Sequence, residues 1–466
     1  MKSNRRDFLK MTGFGLAGTG MFGCAAKTEN HDPFPQTHRQ NFNMAGYAAP
    51  RLDSVRVGII GLGNRGSGAV RRLSRIEGVE IRGLCDLLPD RVDRARNALA
   101  DTAHNPDGYS GSEDEYKKLC EREDIDLIYI CTPWQWHTPQ AVYAMEHEKH
   151  AATEIPAART IEECWQLVET SERTRRHCMM LENVCYDSFE MLTLNMARQG
   201  FLGEIIHAEG AYIHDLMGNN FSSDNYQDMW RLKENASRNG NLYPCHGLGS
   251  IAQAMNLNTG DKMDYLVSVS GDDFMMEDRA RELAAGDDFW DPFVGQPYRG
   301  NMNTSTIRTH KGRTLMLQHD VSSPRPYSRI HLLSGTKGIA QKYPEPARIA
   351  LSHHGWVSDE EFRELEEQYT PEITKKIGEM ARQVGGHGGM DTIMDWRLID
   401  CLRNGIPLDM NVYDAALWSS IAPLSEWSVA NRSNSIDVPD FTSGSWETNK
   451  PAMDIALNKG GNTGII

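Results

Sequence analysis

Residues 55–66 constrain the fold more than any other stretch. Val55, Val57, Ile59 and Ile60 make a short β-branched run that reads as a buried strand. The run leads directly into Gly61, Gly63 and Gly66, spaced as G-x-G-x-x-G. Ala69, Val70, Leu73 and Ile76 follow at helical spacing. In such a unit the first glycine makes the turn and the second lets backbone approach a pyrophosphate. The third lets helix and strand pack closely, and the helix N-terminus faces the anion. A second strand, Val79 to Leu84, ends at Asp86, about 20 residues past the last glycine. A carboxylate there accepts from the adenosine ribose hydroxyls and disfavours a 2′-phosphate. The expectation is a Rossmann domain over 53–182 that takes NAD in preference to NADP. A further strand, Asp126 to Cys131, runs into Thr132, Pro133, Trp134, Gln135, Trp136 and His137. Ligands of open parallel sheets bind beyond the strand C-termini, so these residues are candidates for the cofactor wall.

Charge and composition narrow the class. The net charge is −15 over 466 residues, which repels phosphate backbones and argues against nucleic-acid binding. Residues 1–24 run the other way, with Lys2, Arg5, Arg6 and Lys10 against Asp7. Adjacent arginines before Phe8, Leu9 and Lys10, followed by a weakly apolar, glycine-rich stretch, read as a twin-arginine export signal over 1–30. Met21, Phe22, Gly23 and Cys24 make a degenerate lipobox, so lipid attachment at Cys24 and a periplasmic or envelope location are expected. Residues 31–52, rich in Asn, His, Pro and Gln, read as a linker or arm. The chain contains no apolar run long enough to span a bilayer. The cysteines are scattered without a C-x-x-C pair, which argues against a zinc site and against a disulfide framework.

The pattern changes in the second half. Met179 to Val184 reads as the last strand of the first sheet. Phe189–Gln199 reads as a helix. Ile205–Ile213, Leu266–Val269, Ser305–Thr309, Thr314–His319 and Arg329–Ser334 read as strands of a second sheet. Helical spacing returns at 359–368, 374–383 and 390–402. The fold class is therefore α/β followed by α+β: a Rossmann domain, then a substrate domain over 183–466 with a large, mainly antiparallel sheet.

Glu154, Ile155 and Pro156 follow the strand around Lys149–Thr153. A Glu-x-Pro at this place resembles the glucose–fructose oxidoreductase and inositol dehydrogenase superfamily, whose members often carry Glu-Lys-Pro with a proton-transferring lysine. Ile155 stands in the lysine's place and cannot carry a proton. Other motifs are Cys131–His137, Thr153–Ala158, Trp230-Arg231-Leu232, Gly240–Gly249 and Gly386–Asp391. Together they resemble the NAD-dependent α-N-acetylgalactosaminidases, glycoside hydrolases of family 109, over nearly the whole chain. Cys245 departs from that pattern, where a threonine is expected.

The resemblance implies that Asn64, Arg65, Asp86, Trp134, Gln135, Trp136, His137, Glu154, Ile155 and Asn183 contact NAD. It also implies that Tyr212, Arg231, Tyr243, Pro244, Cys245, His246 and Tyr327 line the sugar site. His214 lies two residues after Tyr212, on the same face if the segment is a strand. The implied reaction is redox-neutral. Oxidation at C3 of the sugar acidifies the C2 hydrogen, elimination expels the C1 substituent, water adds, and reduction restores the sugar. NAD is then held tightly and regenerated in each turnover. NAD-dependent enzymes are a recognised exception to the usual two-carboxylate glycosidase scheme. His246 is the first candidate base. Tyr212 and Tyr243, with His214, are candidates for proton donation or enolate stabilisation if neighbouring cations lower the phenols. Arg231 is a candidate for holding the acetamido carbonyl or an oxyanion. His353, His354 and His387 read more readily as loop residues, and Trp418, Trp427 and Trp446 as packing or subunit contacts in a homo-oligomer. Two other readings stand beside the glycosidase: a net sugar dehydrogenase, and a lipid-anchored carbohydrate-binding protein that keeps NAD only structurally.

Overall fold

The first sheet grows from the strand that opens the glycine turn. In the computed structural model, which describes residues 33–35 and 37–466, β1 (Val55–Ile60) is followed by β2 (Val79–Cys85), β3 (Asp107–Tyr109), β4 (Leu127–Ile130), β5 (His150–Thr153) and β6 (Cys178–Met180). Their order in the sheet is β3-β2-β1-β4-β5-β6, with every pair parallel. β4 and β5 are buried at every position, as strands covered on both faces must be. The predicted export signal and Cys24 lie outside the described residues.

Seven helices frame the site: α1 (Asn64–Leu73), α2 (Trp134–Glu146), α3 (Ile161–Thr174), α4 (Trp230–Ser237), α5 (Cys245–Ala254), α6 (Met390–Asn404) and α7 (Val412–Ala430). The apolar face predicted for α1 is the buried one, with Ala69, Val70 and Leu73 fully covered. Between β1 and α1, Gly61 turns at φ +86°. A Cβ on Gly66 would lie 1.8 Å from the Gly61 carbonyl oxygen, so the third glycine is dictated by contact.

The second sheet has eight strands: β7 (Ile205–Ile213), β8 (Met263–Ser270), β9 (Asn303–Thr309), β10 (Thr314–Asp320), β11 (His331–Gly335), β12 (Ile339–Lys342), β13 (Arg348–Ala350) and β14 (Ile436–Asp437). Their order is β13-β12-β11-β7-β10-β9-β8-β14. All pairs are antiparallel except β7 with β10.

Two predicted strands are shorter than expected, each for a local reason. The run from Met179 ends at Met180, because the Glu182 side chain accepts from the Val184 N–H and starts a 3-10 turn over Asn183–Tyr186. The run from Arg329 becomes a strand only at His331, because Ile330 sits at φ +41°.

Residues 37–466 form one compact unit, and the second half of the chain supplies helices to both sheets. α6 packs on α1 and β1, while α7 packs on α3 and β6 on one side and β8 on the other. α7 is apolar around its girth, and Trp418 is buried in it. Residues 37–52 are not a free linker. Gln40 donates to the Tyr413 hydroxyl at 2.8 Å, His38 lies 3.1 Å from Glu172, and Met44 is buried.

The substrate side depends on one close approach. A Cβ on Gly210 in β7 would lie 2.1 Å from the Gly247 carbonyl oxygen in α5, and one on Gly247 would lie 2.4 Å from the Ala211 nitrogen. Only paired glycines let the first turn of α5 rest directly on β7. Gly210→Ala is therefore expected to lower stability by about 1–3 kcal/mol and to abolish most activity. Gly286→Ala, whose Cβ would meet nothing closer than 3.8 Å, is expected to do neither. Thermal melts and turnover of the two variants check this.

Candidate active site

A cleft of about 570 Å³ opens beyond the C-terminal ends of β1, β2, β4 and β5, where open parallel sheets place their ligands. Gly61, Gly63, Asn64, Arg65, Asp86, Trp134, Gln135, Trp136, His137, Glu154, Ile155 and Asn183 line one part of it. Tyr212, Arg231, Tyr243, His246 and His387 line the other.

The first part fits a dinucleotide. The first turn of α1 has no side-chain cap at Gly63, so its N–H groups are open to an anion. A Cβ on Gly63 would enter this space with only Arg91 near it, at 3.5 Å. Asp86 is buried. Its Oδ2 accepts from Leu62 N at 2.6 Å and its Oδ1 from Leu88 N at 3.0 Å. Those bonds aim the carboxylate and leave lone pairs for ribose hydroxyls. Asn64 reaches across the mouth and donates to the Asn225 carbonyl oxygen at 3.0 Å. His137 is committed within the protein: its ring nitrogens lie 2.7 Å from the carbonyl oxygens of Pro156 and Thr132. It therefore shapes the wall by clamping two loops.

A buried charge cluster supports this wall. Arg65 donates to Glu154 at 2.8 Å and to Asp391 at 3.1 Å. Asp391 also accepts from Asn183, and its Oδ2 lies 2.8 Å from His387 Nδ1. Burial opposes a charge on Asp391. The His387 hydrogen bond and the Arg65 and Arg72 guanidiniums outweigh it and hold the carboxyl well below its usual range. The Gly386–Asp391 motif thus carries a structural acid that reading by sequence alone did not assign.

The second part is aromatic and basic. Arg231 is buried and has no carboxylate within ion-pair distance among the described residues. Its guanidinium lies 5.5 Å from the Trp134 ring, 5.6 Å from Tyr226 and 5.0 Å from Tyr243, and it donates to the Tyr226 hydroxyl at 3.2 Å. Such a cage keeps a cation dry and oriented. Trp134 stacks on Tyr243 at 5.7 Å. His246 lies against both phenols, with ring centroids 5.4 Å from Tyr212 and 5.1 Å from Tyr243. The Tyr212 hydroxyl is 3.0 Å from His214 Nδ1. Burial pushes the Tyr212 phenol up and Arg231 offsets only part of this. Burial, then Tyr212, push Tyr243 well above its usual value. The condition set from sequence, that cations lower these phenols, is not met: desolvation outweighs Arg231, and both phenols keep their hydrogens at neutral pH. Burial, then Arg231, keep His214 below its usual value, so that it stands neutral beside the Tyr212 hydroxyl.

Three predicted sugar-site residues stand apart from the cleft floor. Cys245 is fully buried, with Sγ 3.8 Å from the Met180 sulfur, because its position in α5 points to the core. Pro244 is buried as the N-cap of the same helix. Tyr327 is at the rim, 39% exposed, edge-on to His214 at 5.0 Å. Glu182 and Tyr226 were not singled out by sequence. Trp230 was quoted only as part of the Trp230-Arg231-Leu232 motif, with Tyr226 four residues before it, whereas nothing in the sequence marked Glu182.

The fold and site define an NAD-binding, Rossmann-type protein whose cofactor cleft continues into an aromatic and basic part. Residues 55–182 match the oxidoreductase family with an NAD-binding Rossmann fold, and residues 186–448 match the C-terminal domain of glycosyl hydrolase 109. An α-N-acetylgalactosaminidase of Bacteroides fragilis is 48% identical over 419 residues, covering 88% of this chain and 96% of the relative. A glycosyl hydrolase family 109 protein of Shewanella pealeana is 43% identical over 461 residues, covering 97% and 99%. The chain belongs to glycosyl hydrolase family 109. Among solved structures, levoglucosan dehydrogenase in complex with NADH and L-sorbose has the same fold (TM-score 0.65, 16% identity, 84% of this chain and all of that one). So does scyllo-inositol dehydrogenase from Lactobacillus casei with NAD(H) and scyllo-inositol (TM-score 0.58, 13% identity, 83% and 99%).

Asp391→Asn is expected to release Arg65 and His387 together and to weaken NAD binding about tenfold or more. Quenching of Trp134 and Trp136 fluorescence in an NAD titration measures it.

Proposed function

We propose that this protein hydrolyses terminal α-N-acetylgalactosamine residues by the redox-neutral route, holding NAD tightly and reusing it in each turnover. One observation carries the reading. A dinucleotide cradle shares its cleft with His246, Tyr212 and Tyr243, which can transfer protons, while Ile155, which also lines it, has none to transfer. The 48% identity to the α-N-acetylgalactosaminidase of Bacteroides fragilis supports the sugar and the anomer.

Bound in the cradle, NAD supplies a hydride acceptor and donor for the sugar. The protein's own residues do the rest. The Arg231 guanidinium, caged by rings and without a carboxylate, binds the acetamido carbonyl or the oxygen on which negative charge develops. Tyr212 and Tyr243, kept protonated by burial, donate to the ketone oxygen and to the departing glycosidic oxygen. His246 accepts protons from the sugar. Trp134 and Tyr243 stack over one side and exclude water, which strengthens each of these interactions.

Export by the twin-arginine route, with acylation at Cys24, belongs to the same proposal. Outside the cytoplasm no obvious pool recycles soluble NADH, which favours a cofactor that is never released reduced.

The test uses protein purified without added nucleotide and p-nitrophenyl α-N-acetylgalactosaminide in D₂O. Nitrophenol release without accumulating NADH, and with deuterium at C2, is the expected result. NADH rising with sugar consumption and no nitrophenol would instead establish a net sugar dehydrogenase. Arg231→Met is expected to reduce kcat/KM by about 10²-fold or more, with the larger part in KM for the acetamido sugar than for the plain galactoside.

A further inference from the structure

We propose that Glu182 is a positioning residue: it locks His246 in the Nδ1–H tautomer, so that Nε2 meets the sugar as a proton acceptor. The choice of sugar hydroxyl rests on the glycosidase reading above; the geometry of the pair does not.

Glu182 has no exposed surface. Its Oε1 lies 2.8 Å from His246 Nδ1 and accepts from Val184 N at 3.0 Å, while Oε2 has no hydrogen-bond partner among the described residues. A carboxylate only accepts, so the hydrogen shared with the imidazole sits on Nδ1 and the lone pair on Nε2. His246 lines the cleft and Glu182 does not. Glu182 therefore touches no substrate and acts through the histidine.

The place of Glu182 is built from two sides. From below, its own 3-10 turn holds it. From above, the next turn of α5 presents Gly249, where a Cβ would lie 2.9 Å from Glu182 Cγ, so the absence of a side chain leaves room for the carboxylate. A buried acid with one oxygen unsatisfied is costly on its own terms. Its one polar side-chain partner is His246, which is what a role through that histidine requires.

The step is a proton transfer. The sugar O–H bond breaks, the Nε2–H bond forms, and the ring's positive charge faces the Glu182 carboxylate. In the reverse leg Nε2 returns the proton, so the pair ends each turnover as it began. This arrangement is the logic of a histidine oriented by a buried acid.

The test begins with ¹⁵N-histidine-labelled wild-type holoprotein at alkaline pH, with the His246 signals identified by subtracting the spectrum of His246→Gln. The expected spectrum shows a protonated Nδ1 and a bare Nε2. Glu182→Gln can donate as well as accept, so its spectrum is expected to show mixed tautomers. Its kcat is expected to fall about 10²- to 10⁴-fold with KM little changed, and Glu182→Asp is expected to recover part of the loss. An Nε2–H tautomer in the wild type, or wild-type kcat in Glu182→Gln, overturns the proposal. The wild-type spectrum needs no substrate and no variant beyond the His246→Gln reference. It therefore decides the question even if Glu182→Gln fails to fold. If the wild type does not cleave the glycoside, the functional reading fails and the spectrum still judges the pair.

Discussion

The site depends on the charged cluster around Asp391. One buried carboxylate, delivered by α6 from late in the chain, receives Arg65 and Arg72 of α1, Asn183 beyond β6, and His387 from its own loop. Beside it, Asp395 takes Arg72 at 2.7 Å and the Tyr129 hydroxyl of β4 at 2.7 Å. Buried ion pairs of this kind add little net stability over apolar packing, because desolvation offsets the Coulomb gain. Their directional bonds specify geometry. Here they hold the glycine turn, the Glu154 wall and the C-terminal helix in one arrangement, and the cofactor wall inherits its shape from that arrangement.

The other half of the cleft is organised by sterics. The contact of Gly210 with Gly247 brings the start of α5 onto β7, which sets His246 of the helix against Tyr212 of the strand. Once these are close, burial shapes the acid–base character. It pushes the phenols up and leaves His214 neutral beside Tyr212. The two halves thus rest on different physics: charge pairing orients the dinucleotide wall, and close packing brings His246 to the tyrosines.

Much of this was legible in the sequence because it is local. A β-branched run, three glycines and a 3.6-residue apolar face sit within about twenty residues, and each follows from backbone geometry that sequence spacing dictates. The alternating strands of the second sheet were legible for the same reason. Tyr212, Arg231, Tyr243 and His246 were reached through motifs. Their grouping in one cleft is a tertiary fact, as is the burial that raises the tyrosines.

Glu182 shows the limit most plainly. It lies between Leu181 and Asn183, and no periodicity or motif marked this acid. It became meaningful only when α5 placed His246 2.8 Å away. The sequence by itself determined the glycine turn, the carboxylate of Asp86 at the end of the second strand and the aliphatic Ile155 between Glu154 and Pro156, because each depends on residue type at a local spacing. The tertiary structure decided which carboxylate faces which histidine, how buried each phenol is and where Arg231 finds its cage. Those properties depend on distances between segments as far as 326 residues apart, such as Arg65 and Asp391, and on desolvation, which no local pattern encodes.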